Sequence, residues 1–496
     1  MLPTFSESEE TVPEKNIADL EVRKLMFRIN PIIDTDSYKA SHWLQYPPNT
    51  TRAFFYLESR GSDREWNETV FFGLQYILKR YFSEPLTHAD VEEAREVITA
   101  HGLPFNHEGW TDLINAHGGK LPLRIRAVPE GSVVPLHNVL MTVETTDDRF
   151  AWLASWFETQ LMRVWYAITV ATQSYQIKKD VFRYLTETAD DPSAEIGFKV
   201  HDFGARGVSS QETAAVGGAA HLVNFMGTDT MAALLLHRKF YHAPMAGFSI
   251  PAAEHSTITS WGKDHEEDAY RNMLDRFAKP GSLVAVVSDS WDIYNAVEKL
   301  WGENLKQQVI DSGARIVIRP DSGEPVEVVS KVAQILADKF GYETNSKGYK
   351  VLNNVRIIQG DGVNQESVNK ILQRLKDEGM SASNIAFGIG GSLLQKVNRD
   401  TMKFAYKCSA IVVDGSLREV YKQPVTDAQK ISKRGRLDLI KSATGFETVK
   451  IASLDQIGSS DSAMRTVYEN GDLIVDDTLD VIRERALISF NAVKSA

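Results

Sequence analysis

The stretch RIVIRPDSG, residues 315 to 323, decides the fold: a short apolar run ends in Arg, Asp and Gly, and a longer helical pattern follows. Six other segments of the middle third repeat it. They are FKVHDFGARG (198–207), VNFMGTDT (223–230), FSIPAAEHS (248–256), VAVVSDS (284–290), RIIQGDG (356–362) and IAFGIGGS (385–392). Strand then helix, seven times over, predicts a parallel sheet, and this number of units points to closure into an irregular α/β barrel. An open doubly wound sheet is the alternative, since the repeat alone does not show closure. In either arrangement the polar groups at the C-terminal strand ends converge.

Outward from this repeat, the chain changes character on both sides. From Lys120 to Thr145 apolar and polar residues partly alternate, with Pro129, Glu130 and Gly131 as a turn between strands. Between Thr146 and Thr188 the spacing of Phe150, Leu153, Trp156, Phe157, Leu161 and Val164 follows a helical stripe, with Thr146 or Asp147 as N-cap. Beyond Gly391, the stretch from Lys396 to Arg436 holds ten bases against four acids (Asp400, Asp414, Glu419 and Asp427), a local excess of six positive charges. Asn470-Gly471 marks a hairpin turn, and a last helix begins near Leu479. The expected organisation is a polar extension (1–29), a β-rich α+β domain (30–190) completed by the C-terminal segment, the barrel (191–395), and a basic segment with terminal strands and helix (396–496).

With 496 residues, 43% of them hydrophobic and 24% charged, the chain is that of an ordinary globular protein of several lobes. Lys and Arg total 55 against 66 Asp and Glu, a net charge of -11, so binding to nucleic acid or anionic membrane through overall charge is disfavoured. Phosphate must then meet a local basic cluster. The most apolar stretch, Leu161 to Tyr175, is broken by Arg163, Gln173 and Ser174 and reads as a buried helix, not a membrane span. No signal peptide is visible, and the one cysteine, Cys408, fits a buried thiol in a reducing compartment, so a cytoplasmic location is expected.

The strand ends carry the groups a sugar phosphate needs. In an extended segment Arg319 and Asp321 face the same side, one suited to phosphate and the other to hydroxyls, or they pair with each other. The glycine turns GDG (360–362) and GIGGS (388–392) offer nests of backbone N–H at helix starts, although GIGGS is not a full dinucleotide fingerprint. His255, flanked by Glu254 and within reach of Asp289, can act as base, nucleophile or phosphoryl acceptor, although taken alone it reads better as a satisfied core histidine. His42, His201 and His265 also lie near these motifs, but no spacing has the signature of a zinc site, and no metal ligands are assigned.

Seven motifs then resemble one family in order and at matching spacing from about Asn30 onward: TDSYKASHWLQYPPNT (35–50), HDFGARGVSSQET (201–213), GTDT (227–230), PAAEHST (251–257), IRPDSG (318–323), QGDG (359–362) and FGIGG (387–391). That family is the nicotinamide phosphoribosyltransferases. The resemblance implies a homodimer with active sites at the interface, making nicotinamide mononucleotide and pyrophosphate from nicotinamide and phosphoribosyl pyrophosphate with Mg2+ and ATP. It implies Phe203 and the other subunit's Tyr38 as a clamp on the pyridine ring, and Asp229 as selector for the carboxamide. Arg206, Ser249 and Arg319 would line the same pocket, with Asp36 also in contact with substrate. Asp321, Gly360, Asp361, Gly390 and Gly391 would surround ribose and phosphate, and Arg60, Arg399, Lys407, Lys422 and Lys430 would hold the pyrophosphate or nucleotide phosphates. His255 would be phosphorylated from ATP, supported by Glu254 and Asp289. Ile389 and Ser392 depart from the family's glycine-rich turn. The rivals are a nicotinic acid phosphoribosyltransferase, which Asp229 opposes, and a noncatalytic binder that keeps the fold.

Overall fold

The computed structural model describes residues 29–426, 430–443 and 445–494, so the extension up to residue 28, and Asp427 of the basic segment, lie outside the described residues. Six of the seven expected strand ends terminate regular strands of one parallel sheet. Its order is Gly227–Thr228, Val200–Asp202, Ile385–Ile389, Val355–Gln359, Arg315–Arg319 and Leu283–Val287. The seventh segment, residues 248–252, is not a regular strand. Pro251 has no N–H to give to a ladder. The segment nevertheless makes a parallel bridge at each end, Phe248 to Gly227 and Ala252 to Ala285. The Phe248 N–H donates to the Met226 carbonyl at 2.7 Å, and the Ala285 N–H to the Pro251 carbonyl at 2.9 Å. Both free edges of the sheet are thereby joined, and the sheet closes as a barrel.

Strands of a parallel sheet are covered on both faces, and their composition follows. Val284, Val286, Ile316 and Ile318 are fully buried in the main core. Ala285, Val317 and Ile358, which alternate with them, form a separate cluster with Phe203, Ile250 and Ala386 inside the barrel. Helices complete the units. Pro325–Phe340 starts with proline in its first turn, and Glu324 caps it by accepting the Glu327 N–H at 2.9 Å. The apolar stretch around residue 170 is indeed a buried helix, Val164–Thr188, and no described helix is long and apolar enough to cross a membrane.

A second, antiparallel sheet draws on both ends of the chain, in the order Ser416–Glu419, Phe404–Val413, Thr50–Ser59, Val139–Thr145, Leu123–Ala127, Arg465–Glu469, Asp472–Leu473. Tyr56 pairs with Lys407 and Glu58 with Ala405, which carries part of the basic segment alongside Arg60. The Asn470-Gly471 turn closes the hairpin of the last two strands with φ of 51 and 93°, and the final helix spans Leu479–Lys494. Cys408 is half-buried in the strand Phe404–Val413, and burial pushes its thiol up to about 12.

Glu130 is more than a turn residue. Its buried Oε1 accepts the N–H groups of Gly73 (3.0 Å) and Gln75 (2.7 Å), capping the short helix Leu74–Ile77. Burial nevertheless pushes its carboxyl up from 4.5 to about 7, so the fold favours the protonated acid. The stability this confers is complete below pH 4.5 and is lost as pH rises through about 7. Glu130→Gln, which cannot ionise, should therefore gain on the wild type by up to about 3 kcal/mol between acid and mildly alkaline pH. Urea midpoints measured from pH 4 to 9 check this; parallel profiles for the two proteins would refute it.

Candidate active site

One cavity opens at the C-terminal end of the barrel. The Phe203 N–H donates to the Ile389 carbonyl at 3.0 Å, which fixes the start of the loop after Val200–Asp202. The Phe203 ring lies on Gly388, where a Cβ would fall 2.0 Å from ring atom Cε2. No other residue fits there. Asp202 is buried beneath it: its Oδ1 accepts the Gly204 N–H at 2.7 Å and its carbonyl accepts the Asp229 N–H at 3.0 Å. Burial pushes the Asp202 carboxyl up to about 6. Asp229 in turn accepts the Ser249 hydroxyl at 2.6 Å. Phe203, Asp229, Ser249 and Arg319 line a mostly apolar cavity of about 740 Å³, together with Ala285 and Ile358 from the barrel interior. Arg319 lies 3.5 Å from Asp321, and its buried Nε has no acceptor among the described residues. Arg206, expected in this pocket, is exposed on the turn Ala205–Gly207 and does not line the cavity.

Beside this mouth, Asp289 is a hub. Its carboxylate is 3% exposed; Oδ1 meets His255 Nε2 at 3.0 Å, while Oδ2 accepts the Asp321 N–H at 3.0 Å and the Ser322 hydroxyl at 2.6 Å. Glu254, expected to support His255, does not contact it. It precedes the helix His255–Thr259, where its N–H meets the Thr257 hydroxyl at 3.2 Å and its carboxylate takes the Ser256 hydroxyl. Burial raises the Asp321 carboxyl, against the pull of Arg319. Gly360 lets Asp321 come close, since a Cβ there would stand 3.0 Å from Asp321 Oδ1. The GDG turn with Asp361 is not itself a helix start, because the next helix, Gln365–Asp377, is capped by Asn364. Gly390 and Gly391 do open a short helix, Gly391–Leu394, held from behind by Gln173 Nε2 donating to the Ser392 carbonyl at 2.9 Å. Ile389 is simply the buried end of its strand.

The remaining residues form a second cavity of about 550 Å³. Asp36, Arg60, Arg399, Lys407, Lys422 and Lys430 line it, and it shares no lining residue with the first. Arg60 is held by Glu58 at 2.7 Å, and Asp36 by the Thr159 hydroxyl at 2.7 Å. The Lys407 ammonium is pulled below its usual range by burial first; Glu158 opposes this, and the cations of Arg60, Lys422 and Lys39 reinforce it. A cluster of this kind suits an anion. Tyr38, on the 3-10 helix Ser37–Leu44, is 58% exposed and lines neither cavity. Two residues escaped the sequence reading: Ser322, silent because serine after Asp is unremarkable, and Lys403, visible only as one base in a basic run.

The sequence model of the nicotinate phosphoribosyltransferase family matches residues 198–472, and that of the nicotinamide phosphoribosyltransferase N-terminal domain matches residues 30–125. The nicotinamide phosphoribosyltransferase of Xanthomonas campestris pv. campestris is 58% identical over 462 residues, covering 92% of this chain and 98% of the relative. That of Acinetobacter baylyi is 32% identical over 95% of this chain and 100% of its own. Among solved structures, the Pyrococcus furiosus nicotinate-nucleotide pyrophosphorylase shares the fold at a TM-score of 0.59 with 14% identity over 98% of both chains. Human nicotinic acid phosphoribosyltransferase does so at 0.52, with 18% identity over 92% of this chain and 93% of its own. Fold and matches together define the class, a pyridine phosphoribosyltransferase built on an α/β barrel. Within that class, the chain belongs to the nicotinamide phosphoribosyltransferase family.

Asp289→Ala leaves the Asp321 N–H, the Ser322 hydroxyl and His255 without their acceptor. Stability should fall by about 2 to 3 kcal/mol, and amide exchange at Asp321 should quicken; unchanged exchange would remove Asp289 from the role of hub.

Proposed function

We propose that the protein transfers the phosphoribosyl group of phosphoribosyl pyrophosphate to nicotinamide, giving nicotinamide mononucleotide and pyrophosphate in NAD salvage, with ATP as a coupled substrate. The observation that carries this reading is Asp229, a carboxylate held by Ser249 at 2.6 Å in the aromatic and apolar cavity of Phe203. A carboxylate accepts a hydrogen bond from a carboxamide NH2 and repels the carboxylate of nicotinic acid. Ring stacking on Phe203, worth about 0.5 to 1.5 kcal/mol, orients the pyridine without choosing between the two. The pyridine nitrogen has its own lone pair, so attack on C1 of ribose needs no general base. Charge develops on the sugar and on the departing pyrophosphate, and fixed cations at the latter lower the barrier. Arg319, with its unpaired Nε, and Asp321 are placed for phosphate and ribose.

The pyrophosphate cations lie in the second cavity, so we place the complete site between two copies of the chain, with the partner's Tyr38 closing over Phe203. His255 is the proposed phosphoryl acceptor: Asp289 engages Nε2 and leaves Nδ1 to take the γ-phosphoryl group as ADP departs. Magnesium finds no group of three His, Cys, Asp or Glu among the described residues. We assign it to the phosphate oxygens of the substrate, which are hard ligands of the kind it takes. We assign the enzyme to the cytoplasm, where its phosphorylated substrates would be at hand.

In a competition assay of purified protein with phosphoribosyl pyrophosphate, the wild type should prefer nicotinamide. Asp229→Ser should lower that preference about 10- to 100-fold, as expected for loss of a charged hydrogen bond; an unaltered preference would strip Asp229 of the selector role. Phe203→Ala and Lys407→Ala should each lower activity alone, and dissociated and reassembled together they should rise above either variant toward about a quarter of wild-type activity, since half of the dimers then carry one intact site. No recovery would mean that each chain builds its site alone.

A further inference from the structure

Seven described non-glycine residues have positive φ: Asn49, His137, His242, Asn354, Lys403, Asp414 and Asn470. Six are Asn, Asp or His, the types enriched in this region. Lys403, at φ 49°, is the exception. Such strain persists where the surroundings over-determine it, and it gathers at ligand clamps. Here the surroundings are visible. The Lys403 N–H donates to the Asp400 carbonyl at 3.1 Å, and its own carbonyl accepts the Arg60 N–H at 3.2 Å. Its stem runs past Gly61, where a Cβ would lie 3.4 Å from Lys403 Cδ.

The backbone thus delivers the side chain into the wall of the basic cavity, beside Arg60, Arg399 and Lys407. Its neighbours are partly neutralised, Arg60 by Glu58 at 2.7 Å and Arg399 by Asp400 at 3.2 Å. Among the described residues, the Lys403 ammonium has no ion-pair or hydrogen-bond partner. We propose that Lys403 is a further anion-binding residue, whose ammonium takes an oxygen of the pyrophosphate group of the phosphoribosyl donor and of the pyrophosphate released. The proposal rests on the phosphoribosyl-transfer reading above and adds a charge that the family's motifs do not assign.

Lys403→Asn removes the charge with a residue that tolerates the same backbone conformation, and Lys403→Arg keeps the charge. Binding of inorganic pyrophosphate to the full-length protein, followed by calorimetry, should weaken about three- to tenfold in the Asn variant and stay near wild type in the Arg variant. KM for phosphoribosyl pyrophosphate should rise in parallel, while KM for nicotinamide holds. Thermal unfolding of the Asn variant at or above the wild-type temperature establishes that the turn survives. Equal pyrophosphate affinity in wild type and Asn variant overturns the proposal, as does an equal loss in both variants, which would mark shape and not charge. Because pyrophosphate binding is read without turnover, a wild type that binds it but makes no mononucleotide would sink the proposed activity and leave this inference standing.

Discussion

Barrel closure depends on residues 248–252, a segment whose proline prevents it from being a regular strand. Two bridges and their backbone hydrogen bonds join it to both edges of the parallel sheet. That seam brings distant residues together: Ser249 reaches Asp229 at one end, and His255 reaches Asp289 just beyond the other. Were the sheet open at this point, Asp229 and the His255–Asp289 pair would lie on separate edges. The geometry of the site is a consequence of ring closure.

Charge is distributed with equal economy. An overall net charge of -11 coexists with a cavity in which Arg60, Lys407 and Lys422 crowd together. Burial first, reinforced by the neighbouring cations, pulls the Lys407 ammonium below its usual range, and an anion placed there would offset the repulsion. At the barrel mouth the opposite device operates. Single carboxylates, Asp229, Asp289 and Asp321, are held by hydroxyl or backbone donors or faced by a guanidinium, so each keeps a defined direction. The two cavities share no lining residue.

The strand–helix unit was legible in the sequence. Apolar runs ending in Asp, Gly, His or Arg marked all seven barrel segments, and GTDT, HDFG and IRPDSG placed Asp229, Phe203, Arg319 and Asp321 at their ends. Local pattern is sufficient for these because a strand's periodicity and a turn's glycine are properties of a few consecutive residues. It misled where a polar residue's partner was a matter of rotamer and burial. Glu254 turned to its own helix instead of to His255, Arg206 turned to solvent, and Glu130 turned inward to cap a helix more than fifty residues away.

By itself, then, the sequence determined which units form and which functional groups each one carries. Only the tertiary structure decided that the ring closes across Pro251, that Asp289 serves both His255 and the Asp321 loop, and that Lys403 is forced into the basic cavity. Those outcomes depend on hydrogen bonds and burial between segments far apart in the chain, and on a φ angle imposed from outside the residue. No window of neighbouring residues encodes them.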